Sequence, residues 1–366
     1  MKLAFSSIAV AVAAALSPGA ASAQSSIVLN GLVDVNLQSS RISGDGFSAT
    51  ERGTRTAVDS NGMTTSWWGM RGSEDLGGGV RAIFELGGFL RPDTGEVGRF
   101  GTTDGLFKRA AYAGVESPYG RLTAGRHGTL YATSIYATNP FGDSFSFAPM
   151  LLNTYSTSLG AGLGIRDGRT SYIRNDSGWS NSVLLATPNM SGFTASALVS
   201  SASGSNDQED PVLKKRGRAY AGQLAYRSGP LVALGVYQDV EINGAGQKQS
   251  AWLIGGAYDL KVVRLFAQYQ SIDSTVTAGK DNDTSWQLGA SMPFGKHTLL
   301  ATYVSTKTED KASLLADETR DTYSLGYRYD FSRRTDGYVV YMNDKLDAGI
   351  ADKKRSVAAV GIRHRV

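Results

Sequence analysis

The chain has 366 residues, no cysteine, and 37 basic against 33 acidic side chains, for a net charge of +4. Without cysteine there are no disulfides and no thiol chemistry, and so slight a charge excess, spread along the chain, excludes the basic arm that binds nucleic acid. A mean hydropathy of -0.19 resembles that of a soluble protein, yet it does not exclude a membrane barrel, in which only alternate side chains meet lipid.

The first 23 residues read as a signal peptide. In "MKLAFSSIAVAVAAALSPGAASAQ", Lys2 supplies a positive start, Leu3 to Leu16 an apolar stretch, and Ala21-Ser22-Ala23 a small-residue cleavage site before Gln24. A membrane anchor is the alternative, but an apolar run of about fourteen residues is too short to span. Residues 24–366 then form one unit, because glycine, tyrosine and alternating segments continue from residue 26 to the end without a boundary.

"SIVLNGLVDVNL" sets Ile27, Leu29, Val33, Val35 and Leu37 on one face, against Asn30, Asp34 and Asn36 on the other. "TSWWGMRGSEDLGGGVRAIFEL" follows, and its glycine run raises the question of a phosphate cradle. A P-loop needs Lys and then Ser or Thr after its last glycine. Here Gly79 leads into Val80, Ala82, Phe84 and Leu86, alternating with Arg81, Ile83 and Glu85. With Trp67, Arg71 and Ser73 opposed to Trp68, Met70 and Gly72, the stretch is a hairpin.

Further along, "VRLFAQYQ", "DTYSLGYRYDF" and "SVAAVGIRHRV" alternate in the same way. Such strands of about ten residues cross a bilayer when tilted. Seven short turns ("EDLGGG", "SPYG", "TPNMSG", "SGP", "DLK", "MPFGK" and "SRRTD") interleave with eight longer polar links near 38–63, 90–106, 129–168, 202–216, 241–249, 273–283, 307–319 and 345–354. That pattern predicts an all-β fold, a transmembrane antiparallel β-barrel of about sixteen strands. Trp67, Trp68, Tyr119, Phe193, Phe294, Tyr329 and Phe331 lie near segment ends, as aromatic girdles would. Open edges in lipid leave backbone groups unpaired, so the first and last strands must pair. A soluble sandwich is the alternative, but it rarely needs strands this long or loops this asymmetric.

Enzymatic signatures are weak. "DTG" at Asp93-Thr94-Gly95 lacks apolar flanks and a second copy, and reads as a turn. His127, His297 and His364 sit on separate segments, without metal-ligand spacing, and no G-x-S-x-G elbow occurs. No catalytic residue, metal or cofactor is assigned. The acidic runs 206–210 and 281–283 are hydrated loop tips, or alternatively bridge cations to lipopolysaccharide.

The ordered set "SSIVLNGLVDVNL", "SEDLGGGVRAIFEL", "YGRLTAGRHG", "SNSVLLATPNMSGF" and "VGIRHRV" resembles the trimeric general porins of Gram-negative bacteria, especially their β-proteobacterial branch. The resemblance implies a homotrimer in the cell outer membrane, contacting lipid and lipopolysaccharide. Each barrel would be a water-filled pore for passive diffusion of small hydrophilic solutes and ions, narrowed by an inward-folded third long loop. That loop contains "TLYATSIYATNPFGDSFSFAPM", with Asp143 as its one carboxylate. By matching motifs, lumen-facing bases would be Arg71, Arg109, Arg126 and Arg174, beside Asp34 and Trp67, giving a mild anion preference. A substrate-specific channel and a barrel hydrolase are the alternatives. Trp67 and Leu184 stand where the family usually has arginine, and Val366 where it ends in phenylalanine.

Overall fold

The computed structural model describes residues 26–99, 104–155, 176–201, 218–242, 247–276, 279–310, 317–347 and 352–366. The expected signal peptide, Arg174 and the acidic run 206–210 lie outside them. The first half of the chain forms β1 (Ser26–Ser43), β2 (Gly53–Ser60), β3 (Trp67–Gly77), β4 (Val80–Arg91), β5 (Glu96–Val97), β6 (Ala110–Ser117) and β7 (Gly120–Gly128). Two short helices, α1 (Leu130–Ala137) and α2 (Pro149–Tyr155), precede β8 (Gly178–Ala186) and β9 (Phe193–Ser200). Then come β10 (Ala219–Ser228), β11 (Leu231–Ile242), β12 (Gln247–Asp259), β13 (Arg264–Val276), β14 (Gly279–Phe294), β15 (His297–Asp310), β16 (Glu318–Asp330), β17 (Thr335–Asp347) and β18 (Asp352–Arg365).

These strands close into an antiparallel ring of sixteen positions. β5 pairs only with the end of β4 and belongs to a loop, while β2 and β3 share one position beside β1. Closure is made by β1 and β18, in register from Leu32↔Arg365 to Ser43↔Lys354. All backbone groups of the wall can then bond to a neighbour, which hydrocarbon demands. The seven short turns fall where the alternation breaks. In the first, Gly77, Gly78 and Gly79 have φ of 84°, 60° and 78°, values that side chains with a Cβ resist. The expected long links after β11 are shorter than the sequence suggests. β12 to β18 run 13 to 16 residues, because ladder hydrogen bonds use only the backbone and polar side chains continue the ribbon beyond the apolar band. Asp281 and Asp283, expected at a loop tip, are buried on β14, where Asp283 accepts a hydrogen bond from Thr308 Oγ1.

The two faces of the wall differ as the alternation predicts. On β13, Leu265 and Tyr269 are exposed, while Phe266, Gln268 and Gln270 are buried. An aromatic row crosses the outer face of eight consecutive strands: Tyr220, Tyr237, Trp252, Tyr269, Trp286, Tyr303, Tyr323 and Tyr341 each expose 37–43% of their surface. Rings on paired strands lie 5.3 to 6.4 Å apart. This is the amphipathic belt of a membrane–water boundary. Trp67 is not part of any belt, because it lies on the inner face, beneath Arg109.

The inner face is only partly aqueous. Thr129 caps α1 by accepting from the Ala132 amide at 3.1 Å. Neither helix has a polar stripe, since Tyr131, Ile135, Met150, Leu151 and Leu152 are all 0–1% exposed. They pack in one cluster with Leu198, Val236, Leu253 and Val304 of the wall. Each such side chain contributes about 1.5–3 kcal/mol when withdrawn from water. Polar wall residues fasten the same segment: Gln223 donates to Ser134 at 2.7 Å, Gln268 to the Ile135 carbonyl at 2.9 Å, and Asn153 to Thr306 at 3.1 Å. All these wall residues lie on the face opposite the aromatic row.

Candidate functional site

The site starts from an interruption between β2 and β3. Residues 61–66 leave the ladder beside Asp34, whose carboxylate accepts from the Met63 and Thr64 amides at 2.8 Å each and from the Tyr338 hydroxyl at 2.6 Å. Asp34 is fully buried, so it holds this bulge in place and does not meet solvent. The bulge in turn seats the loop after α1. Ser144 Oγ donates to the Gly62 carbonyl at 2.7 Å and Ser146 Oγ to the Asn61 carbonyl at 3.0 Å. Asp143, next to Ser144, is thereby directed at the inner wall. Burial raises its carboxyl above the ordinary value, opposed by its hydrogen bonds, including one with Thr64, and by the charges of Arg363 and Arg109.

Across from it, β3, β4, the start of β6 and β7 present a row of linked side chains. The Arg109 guanidinium stacks 3.9 Å from the Trp67 ring and donates to Glu85 at 2.8 Å. Glu85 also accepts from the Tyr112 hydroxyl at 2.6 Å, and Arg121 donates to that same hydroxyl at 2.6 Å. Trp67, Glu85, Arg109, Tyr112 and Asp143 border one cavity of about 290 Å³. A second cavity of about 320 Å³ lies toward the short turns and shares Glu85 and Tyr112 with the first; Arg71, Arg81 and Arg121 line it.

Arg126 has a different setting from its neighbours. It is 6% exposed and donates to Ser180 at 2.8 Å and to Asp176, which also receives Arg99 at 2.7 Å. Arg99 further binds Asp104 at 3.0 Å. Burial alone would raise the Asp176 carboxyl, but Arg99 and Arg126 together hold it well below the ordinary carboxylate range. Removing one member would strand a buried charge, at a cost of about 3–5 kcal/mol. This cluster ties the segment after β5 to the start of β8.

The structure therefore brings Trp67, Arg109 and Asp143 together, places Arg71 in the adjoining cavity, and sets Arg126 and Asp34 in buried networks. Sequence reasoning missed Glu85, Tyr112, Arg121, Arg99 and Asp176. Glu85 was within reach, since it shares its strand face with Arg81. Asp176 was not, because its partners lie 50 and 77 residues away. The histidines stay apart: His127 is held by Thr123 and Ser182, His297 by Tyr327, and His364 by Thr335. "DTG" is a turn, with the Thr94 and Gly95 amides on the Arg91 carbonyl.

A closed barrel with an aromatic belt outside, and cavities bordered by charged side chains beside a packed loop inside, defines an outer-membrane β-barrel channel protein. The chain belongs to the Gram-negative porin family, whose model matches residues 9–349. It is 30% identical to outer membrane porin protein 32 of Delftia acidovorans, over 97% of this chain and 94% of that one. Identity to an outer membrane porin protein of Bordetella pertussis is 28%, over 95% and 96% of the two chains. Among solved structures, it is similar to the anion-selective porin from Comamonas acidovorans, with a TM-score of 0.72 at 22% identity, covering 94% of this chain and all of that one.

Proposed function

We propose that this chain is a passive, water-filled channel for small hydrophilic solutes and ions, with a mild preference for anions, and that it works as a homotrimer without enzymatic activity. The carrying observation is the cavity between Asp143 and the Trp67–Arg109–Glu85 row, where the docked loop leaves space bordered by charged side chains against one side of the wall. Family membership and the likeness to the anion-selective Comamonas porin support the reading. The preference is mild because most cations here are matched: Arg109 by Glu85, and Arg99 and Arg126 by Asp176. Arg71 makes no hydrogen bond or ion pair among the described residues, and Arg121 meets the ring and hydroxyl of Tyr112 but no carboxylate, which leaves positive charge unbalanced just below. Rings of arginine favour anions.

For the trimer, the aromatic row is the support. It covers β10 to β17 only, while β6 and β7 present Ala111, Ala113 and Ala124 outward, small enough for close packing between barrels. Swelling of liposomes containing the purified protein tests the channel. Entry of uncharged sugars should slow steadily with solute size, and liposomes that swell no faster than protein-free ones would overturn the reading.

A further inference from the structure

The cavity on the short-turn side carries more than a general charge excess. Its two carboxylates are already engaged, Glu85 by Arg109 and Tyr112, and Glu116 by Arg81. Arg71 has no partner among the described residues. Arg121 uses one terminal nitrogen on Tyr112, and its Nε is buried without a hydrogen-bond partner. Two guanidiniums without a carboxylate thus line one space of about 320 Å³.

Beside them the wall turns apolar. Val28 is in register with Arg71 and so shares its face, and Ile83 lies between Arg81 and Glu85 on the inner face of β4. An inorganic oxyanion has no use for these side chains, whereas a carboxylate with a short hydrocarbon body does. The geometry points to a binding subsite for small organic monocarboxylates, with Arg71 and Arg121 holding the carboxylate and Val28 and Ile83 the apolar body. Guanidinium forks match carboxylate oxygens in shape and charge. The subsite rests on the channel reading, and lies on the path from the upper cavity toward the short turns.

The test is a titration of hexanoate, acetate and inorganic phosphate against chloride current through the purified oligomer in a planar bilayer, paired with calorimetric titration of the same anions in detergent. Hexanoate should reduce chloride current saturably and bind more tightly than acetate or phosphate. Arg71→Gln or Arg121→Gln should each weaken it about tenfold, the effect of losing one charge-assisted hydrogen bond. Ile83→Ser should weaken hexanoate and leave acetate unchanged. Arg71 has no partner to lose, so Arg71→Gln leaves the fold intact. Current without saturable hexanoate block, phosphate binding as tight as hexanoate, or glutamine variants that bind as wild type would each overturn the subsite while the pore stands. Absence of any current would instead overturn the channel reading, with calorimetry still deciding the subsite.

Discussion

Glu85→Gln is the sharpest perturbation of the pore wall. Glutamine keeps the size of the side chain and one of the two oxygens that now accept from Tyr112 and Arg109, 2.6 and 2.8 Å away, so the charge and one accepted hydrogen bond are lost. An ion passing about 5 Å from that carboxylate in water feels about 0.8 kcal/mol. Screening at 0.1 M salt reduces this to about 0.5 kcal/mol. Chloride gains what potassium loses, so the permeability ratio should shift by about 1 kcal/mol, or about fivefold toward chloride. Zero-current potential across a tenfold KCl gradient measures it. Glu51→Gln, in the exposed turn where Glu51 pairs with Ser48, serves as the control and should change nothing. An unchanged ratio in Glu85→Gln, or a shift toward potassium, would refute the placement of the Arg109–Glu85 pair on the ion path.

Asp143 adds a pH dependence. Because burial raises its carboxyl, it should take up a proton as pH falls while still above the usual carboxylate value of about 3.9; loss of its negative charge should then increase anion preference, and Asp143→Asn should remove that step from the potential-versus-pH curve. Asp34→Ala leaves the Met63 and Thr64 amides and the Tyr338 hydroxyl without their acceptor. At about 1–3 kcal/mol for each unsatisfied group, the folded band on semi-native SDS gels should be lost at a clearly lower temperature than wild type, and equal melting would show the bulge to be dispensable. Val366, with its amide on the Gly31 carbonyl at 3.0 Å and 62% exposed, has room for a larger ring. Val366→Phe should therefore fold normally and raise the yield of assembled barrel in outer-membrane fractions, with equal yields showing that the terminal aromatic does not matter here.

Most of the wall was legible because period-two alternation reports directly which side chains face lipid. Residues 321–331 and 263–270 divide into faces as their spelling suggests, and all seven short turns sit at the expected breaks. The break in the second strand was hidden. "NGMTTS" reads as ordinary loop, and only the buried Asp34 explains why it folds against the wall. The same limit applied to the arginines. Parity put Trp67 and Arg71 on the inner face, but whether an inner arginine is free or neutralised depends on partners distant in sequence. Arg126 looks equivalent to Arg109 in its motif, yet one is buried on Asp176 and the other is one-third exposed over Trp67.

The central claim is tested most directly by the wild-type protein alone in a planar bilayer under a KCl gradient. Stepwise, long-lived conductance increments with a zero-current potential modestly on the chloride side are the predicted result. Absence of increments would contradict the channel, and a potential on the potassium side would contradict the unbalanced arginines as the source of its selectivity.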